Sequence, residues 1–136
     1  MSVLLTWREG ERRSVDAKAI NAVLAEVVAA SSSPVIVVLE IDGAAMHVVV
    51  GDAKGTALGY FPPGYEATGT GSLHSVGDRE AASADRWEPP LTAYYLGNHT
   101  EFPRWSVIRH ELGERAIAQF CGRPTAPPEA VEWERD

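Results

Sequence analysis

This 136-residue chain has one cysteine, two methionines and no run of basic residues wider than Arg12-Arg13. Each shortage excludes something. A lone Cys121 cannot close an internal disulfide, which fits a reducing compartment. No stretch reaches the ~20 apolar residues of a membrane span. The apolar run at residues 3–7 has no basic segment before it and is far too short for the core of a signal peptide. A cytoplasmic protein with no membrane contact is the expectation. Nineteen acids against twelve bases give a net charge of −7 and a pI near 5.0. Proteins that grip nucleic acid show a basic footprint that neutralises phosphates. That footprint is missing here, so nucleic acid is not expected as a direct partner.

Catalytic and cofactor signatures are equally thin. His110-Glu111-Leu112-Gly113-Glu114 begins like a zincin helix, but Glu114 stands where the second metal-binding histidine belongs, one turn on. His47, His74 and His99 occur singly. Gly69-Thr70-Gly71 is followed by His74 where a dinucleotide fingerprint has its third glycine, and no strand–turn–helix context surrounds it. Ser72 and Ser75 lack the Gly-x-Ser-x-Gly elbow. Cys121 falls at a predicted helix C-terminus, whose partial negative charge disfavours a thiolate. Asn98-His99-Thr100 has the form of a glycosylation sequon, which has no meaning without secretion. The expectation is a protein that is not an enzyme and carries no metal or cofactor.

What is present is a chain able to bury a core. Apolar residues make up 45%, enough for one packed domain over residues 1–136 and too many for wholesale disorder. Residues 2–8 are β-prone and a turn signal, Glu9-Gly10-Glu11, follows them; a second short strand covers residues 12–15. Asp16 is placed to cap a helix whose stripe is Ile20, Val23, Leu24, Val27 and Val28. The serines before Pro34 stop it. Residues 35–41 and 45–50 are β-branched and joined by Asp42-Gly43, a strong hairpin signal. Val35-Ile36-Val37-Val38-Leu39 is continuously apolar, so that strand should be central and covered on both faces.

A third strand is predicted at 56–61, broken by Pro62. Gly, Ser, Ala and charge dominate residues 69–90, with one short strand at 73–76. Further strands follow at 91–96 and 105–108. A second helix is predicted at 109–120, with Leu112, Ala116, Ile117 and Phe120 inward and Gly113 weakening it by ~1 kcal/mol relative to Ala. Gly122-Arg123-Pro124 ends that helix, and a last strand spans 130–133. The fold class is α+β: a mostly antiparallel sheet of six to seven strands packed against two helices.

The most specific pattern lies in the C-terminal half. Tyr94-Tyr95, Gly97, then Glu101-Phe102-Pro103-Arg104-Trp105-Ser106 precede the helix ending at Phe120. Gly122-Arg123-Pro124 and Val131-Glu132-Trp133-Glu134 follow. This order resembles a family of small immunity proteins from bacterial polymorphic toxin systems, a group often encoded beside toxins of the nucleic-acid deaminase class. The resemblance is specific over residues 94–134, architectural over 1–61 and absent over 62–90. It implies an antitoxin that binds a cognate protein toxin, 1:1, and occludes its active site or substrate cleft; homo-oligomerisation is possible but not indicated.

An acidic protein suits that role, because it attracts a basic partner; the same acidity also serves simple solubility. Phe102 and Trp105 serve either as core plugs or as contacts, with Arg104 paired to an acid such as Glu101 or Glu132 in the first case. Trp133, in an apolar strand, is expected in the core. Candidate toxin-binding residues are Asp78, Glu80, Asp85, Arg86, Trp87, Glu88, Tyr94, Tyr95, Glu101 and Arg104. Residues 78–88 suit a partner-binding loop or an ordinary surface loop. The competing reading is a small-ligand-binding or enzymatic α+β domain with a pocket near Tyr95 and Trp105.

Overall fold

The structure, a computed structural model, describes residues 1–78, 89–95 and 97–136. Among these, nine strands form one sheet. The main path runs β2 (Glu11–Asp16), β1 (Ser2–Trp7), β3 (Val35–Ile41), β4 (Ala44–Val50), β5 (Leu58–Phe61), β6 (Leu73–Val76) and β9 (Glu132–Arg135), with every neighbouring pair antiparallel. A hairpin of β7 (Leu91–Tyr95) and β8 (Asn98–Phe102) joins this path through one parallel pairing of Tyr94 with Val35. The helices are α1 (Ile20–Ala29), a single turn α2 (Tyr65–Thr68) and α3 (His110–Gly122).

Local chemistry explains the best-formed parts. Asp42 and Gly43 both take positive φ, 49° and 81°, the backbone of the two-residue turn that matches strand twist. Val35 through Leu39 are all buried, because β3 is central and packed on both faces. Asp16 accepts from the Lys18 amide at 2.9 Å and caps a 3-10 turn, Ala17–Ala19, that leads into α1. Ile20, Val23, Leu24 and Val27 are buried, but Val28 is 41% exposed. At ~100° per residue, Val28 lies roughly 90° from the centre of that stripe, at the edge of what a sheet can cover.

The two faces of the sheet differ. One carries the main core: Val3, Leu5, Val37, Leu39, Met46, Val48, Leu58 and Tyr60 pack against α1 and against Ala116, Ile117 and Phe120 of α3. Leu112 is only partly buried against it. On the other face a smaller cluster, Ile36, Val38, Val49, Ala57, Leu91 and Ala93, is covered by the β7–β8 hairpin and by Val107.

Several boundaries differ from the sequence expectation. The third strand starts at Leu58, since Thr56 instead pairs with Ile108 through two backbone bonds of 2.9 and 2.8 Å. Residues 105–108 are not a strand; Arg104–Ser106 forms a 3-10 turn after Pro103, whose fixed φ favours a turn. The last strand is shifted to Glu132–Arg135 because it registers on β6. β8 and α2 were not expected. β8 is polar and exposed apart from Phe102, so it lacks the alternation that marks a half-buried strand. Of the expected 91–96 strand, Leu96 lies outside the described residues.

Candidate functional site

Residues directly opposite in antiparallel pairs share a face, so the register defines what the side away from α1 and α3 presents. One row reads Leu4, Glu40, Ala45 and Phe61. The next reads Thr6, Val38, His47, Gly59, His74 and Glu134. The hairpin covers Ile36 and Val49, whereas Glu40 is exposed and Ala45 and Phe61 are only partly buried. What remains is an open groove of ≈ 800 Å³, walled on one side by Tyr95 and on the other by Pro62 and Tyr65.

An aromatic row crosses this groove. The His47 ring lies 4.3 Å from Phe61 and 6.5 Å from Tyr95, and Phe61 meets Tyr65 edge-on at 4.8 Å. Small residues make the hollow: Ala45 stands between Glu40 and Phe61, and a Cβ on Gly59 would lie 3.3 Å from the Phe61 ring. Burial pushes the His47 pKa down to about 4, against a weaker upward pull from Asp136, so the ring is neutral at physiological pH. Burial first, then the Glu40 charge, push the Tyr95 phenol upward, while Arg12 pulls it down. Among the described residues, Glu40, Asp42 and Glu66 line the groove and no lysine or arginine does.

The expected contact residues are distributed, not gathered. Tyr95 lines the groove. Tyr94 points to the opposite side of the hairpin, where its hydroxyl donates to Glu9 at 2.9 Å and its ring meets His99 at 5.2 Å. Glu101, opposite Thr92 on β8, shares that outer side and is exposed. Asp78 is exposed beyond the end of β6. Glu80, Asp85, Arg86, Trp87 and Glu88 lie outside the described residues.

Arg104 is held within the chain. Its guanidinium meets Asp52 at 3.2 Å and donates to the Pro89 carbonyl at 3.0 Å, with both side chains of the pair largely buried. The acid beside it is therefore Asp52, from the β4–β5 turn, a pairing across 52 residues that no local pattern announces. The rest of the box is also wired inward. The Trp105 carbonyl accepts from the Gly77 amide, and the Ser106 carbonyl accepts from the Ser75 hydroxyl at 2.7 Å. Phe102 packs partly against the smaller core cluster, and Trp133, half-buried against the main one, donates to the Pro128 carbonyl at 2.8 Å.

One pair has a catalytic look. His74 Nδ1 bonds the Asp136 carboxylate, and the ring lies 5.2 Å from Trp105. The adjacent hydroxyl, Ser75, points to the other face and is fully engaged, donating to Ser106 and accepting from the Leu58 amide at 3.0 Å. The Ser75 hydroxyl is therefore not presented to the His74 ring. Among the described residues no group of three or more His, Cys, Asp or Glu is placed to hold a metal ion, and no helix is long and apolar enough to cross a membrane.

The family model described as Immunity protein Imm1 matches residues 10–135. The chain belongs to the Imm1 family. No curated protein matches it. The Imm1 match takes in residues 62–90, where the sequence alone gave no resemblance, as well as the aromatic box and the closing Trp133. It makes the chain an immunity protein, whose partner is a toxin. Against that role, the groove is the feature that sequence reasoning missed. Its signal was the alternation of Val38 with Glu40 and of Ala45 with His47 inside two otherwise apolar strands, but only the register brings these four positions onto one surface.

Proposed function

We propose that this Imm1 protein neutralises a cognate toxin in the cytoplasm by forming a 1:1 complex that covers the toxin's active site or substrate cleft. The toxin proposed is a nucleic-acid-modifying enzyme of the deaminase class, in keeping with the family resemblance of residues 94–134. The observation that carries the mechanism is the open groove, bordered among the described residues by three acids and no lysine or arginine, on a protein of net charge −7. An enzyme that acts on nucleic acid is positive near its substrate channel, so an acidic, concave surface is complementary to it. Inhibition by this route needs contact and exclusion but no catalysis. Tyr95, which lines the groove, is a proposed contact residue there; Asp78, Tyr94, Glu101 and Arg104, which lie away from it, and Glu80, Asp85, Arg86, Trp87 and Glu88, outside the described residues, are proposed as further contact residues.

Titration calorimetry of the two purified proteins, read beside toxin turnover on its nucleic acid, tests this. The expected result is a stoichiometry of one and activity lost in proportion to complex formed. A complex whose toxin still turns over substrate would refute occlusion. A small molecule that alone raises the melting temperature, with no toxin complex, would favour the rival pocket reading.

A further inference from the structure

The groove also carries information about what enters it, and this inference rests on the immunity reading for the identity of the protein that supplies the occupant. Three independent features of the lining agree. Among the described residues its charge is of one sign, from Glu40, Asp42 and Glu66. Its aromatic residues, Phe61, Tyr65 and Tyr95, stand on both walls beside those acids. The one titratable base among its described lining residues, His47, is kept neutral by burial and so opposes no incoming cation. Arg12 approaches Tyr95 only from β2, at the far end of the next row.

We infer that the groove receives a cationic side chain, arginine before lysine, presented by an exposed loop of the partner toxin. The charged head meets Glu40 and Glu66, and the methylene stem lies over Ala45, Val38 and the ring of Phe61. Three physical reasons favour this occupant. A cation gains from aromatic faces as well as from carboxylates, whereas an apolar or acidic side chain gains from one or neither. A long basic side chain covers apolar surface with its stem while its head stays polar. A guanidinium stacks on a ring and donates to a carboxylate in the same pose, which an ammonium does less well. At ≈ 800 Å³ the groove exceeds any single side chain, so it accepts the flanking loop residues too. The occupant is accordingly a loop and not a free amino acid, and isolated arginine should bind weakly.

The test uses the whole chain, labelled with nitrogen-15 and titrated with N-acetyl-arginine amide or with its neutral isostere, N-acetyl-citrulline amide. The arginine probe should shift the amides of Ala45, Gly59, Phe61 and Tyr65, and citrulline should not. Glu40→Gln combined with Glu66→Gln, both at exposed positions, should cut the arginine response at least about fivefold without changing the melting temperature. In the complex, the same double variant should weaken toxin binding at least about tenfold. Equal response to citrulline, shifts that map elsewhere, or toxin binding unchanged in the double variant would overturn the inference while leaving immunity intact. Shifts of these amides with protein concentration alone would also overturn it, since a second copy would then be the occupant. If no toxin is bound yet the arginine response is present and charge-dependent, the immunity reading falls and the cation site stands.

Discussion

A Cβ on Gly113 would lie 2.5 Å from Cγ2 of Thr56, so α3 touches the β4–β5 connection through a glycine that has no spare room. Thr56 cannot move away easily, because its hydroxyl donates to the Val49 carbonyl at 2.6 Å and its backbone pairs with Ile108. By helix propensity alone, Gly113→Ala should add about 1 kcal/mol of stability. The contact reverses the sign: overpacking of ~1–3 kcal/mol outweighs the propensity gain. We expect Gly113→Ala to lower stability in urea unfolding. Thr56→Ser keeps the hydroxyl and removes the methyl, so the double variant should recover most of the loss. Additive costs in the double-mutant cycle would dismiss the contact as the cause.

His47 makes the fold sensitive to acid. Its pKa falls from the ordinary 6.5 to about 4 on folding because burial disfavours the charged ring. Between those values the unfolded chain holds a proton that the folded chain does not, so stability rises with pH there and is lost as pH falls from about 6.5 to 4. At 1.36 kcal/mol per unit the loss approaches ~3 kcal/mol. His47→Gln should flatten this part of the stability–pH curve. An unchanged slope would place the acid sensitivity elsewhere.

Cys121 is 6% exposed and burial pushes its thiol pKa up. Burial thereby suppresses the thiolate, the reactive form, and also shields the sulfur from reagents. A chromogenic disulfide reagent should label it slowly in the native protein and within the mixing time in denaturant. Fast native labelling would mean that the end of α3 opens readily.

Arg104→Ala should cost about 1.5–3 kcal/mol, the range for a charged hydrogen bond lost with its partner left buried. Asp78→Lys and Glu101→Lys, at exposed positions, should change stability by less than about 0.5 kcal/mol. Thermal unfolding of the three variants separates them. An Arg104→Ala protein as stable as the parent would make the Asp52 contact incidental and free Arg104 for a binding role.

Association with the toxin should be steered by charge. Stopped-flow on-rates should fall as salt rises from about 0.01 to 0.15 M, as the Debye length shortens from ~30 to ~8 Å. Reversing rim acids should act on the same rate more than on dissociation. A flat salt profile would remove acidity from the account of recognition.

How much of this was legible beforehand follows from the range of the forces involved. Neighbours in sequence set the stripe of α1, the positive φ of Asp42 and Gly43, and the alternation that makes β3 and β4, so these could be read directly. The α+β class and the aromatic box followed as well, the first from periodicity and the second from resemblance. Polar, exposed β8 carries no periodicity and becomes a strand only because β7 offers it a partner. The box could be read as core or as contact surface; its arginine is tied to Asp52 and its carbonyls to Ser75 and Gly77, partners found only after folding. The groove is the clearest case. Alternation says that Glu40 and Ala45 each project from a strand, yet not on which side they meet, and a one-residue change of register would send either to the opposite face. Composition and local pattern thus determined the strands and helices that carry a strong periodicity of their own. Tertiary pairing decided which side chains share a surface, because strand register and helix placement are fixed by contacts between segments far apart in the chain.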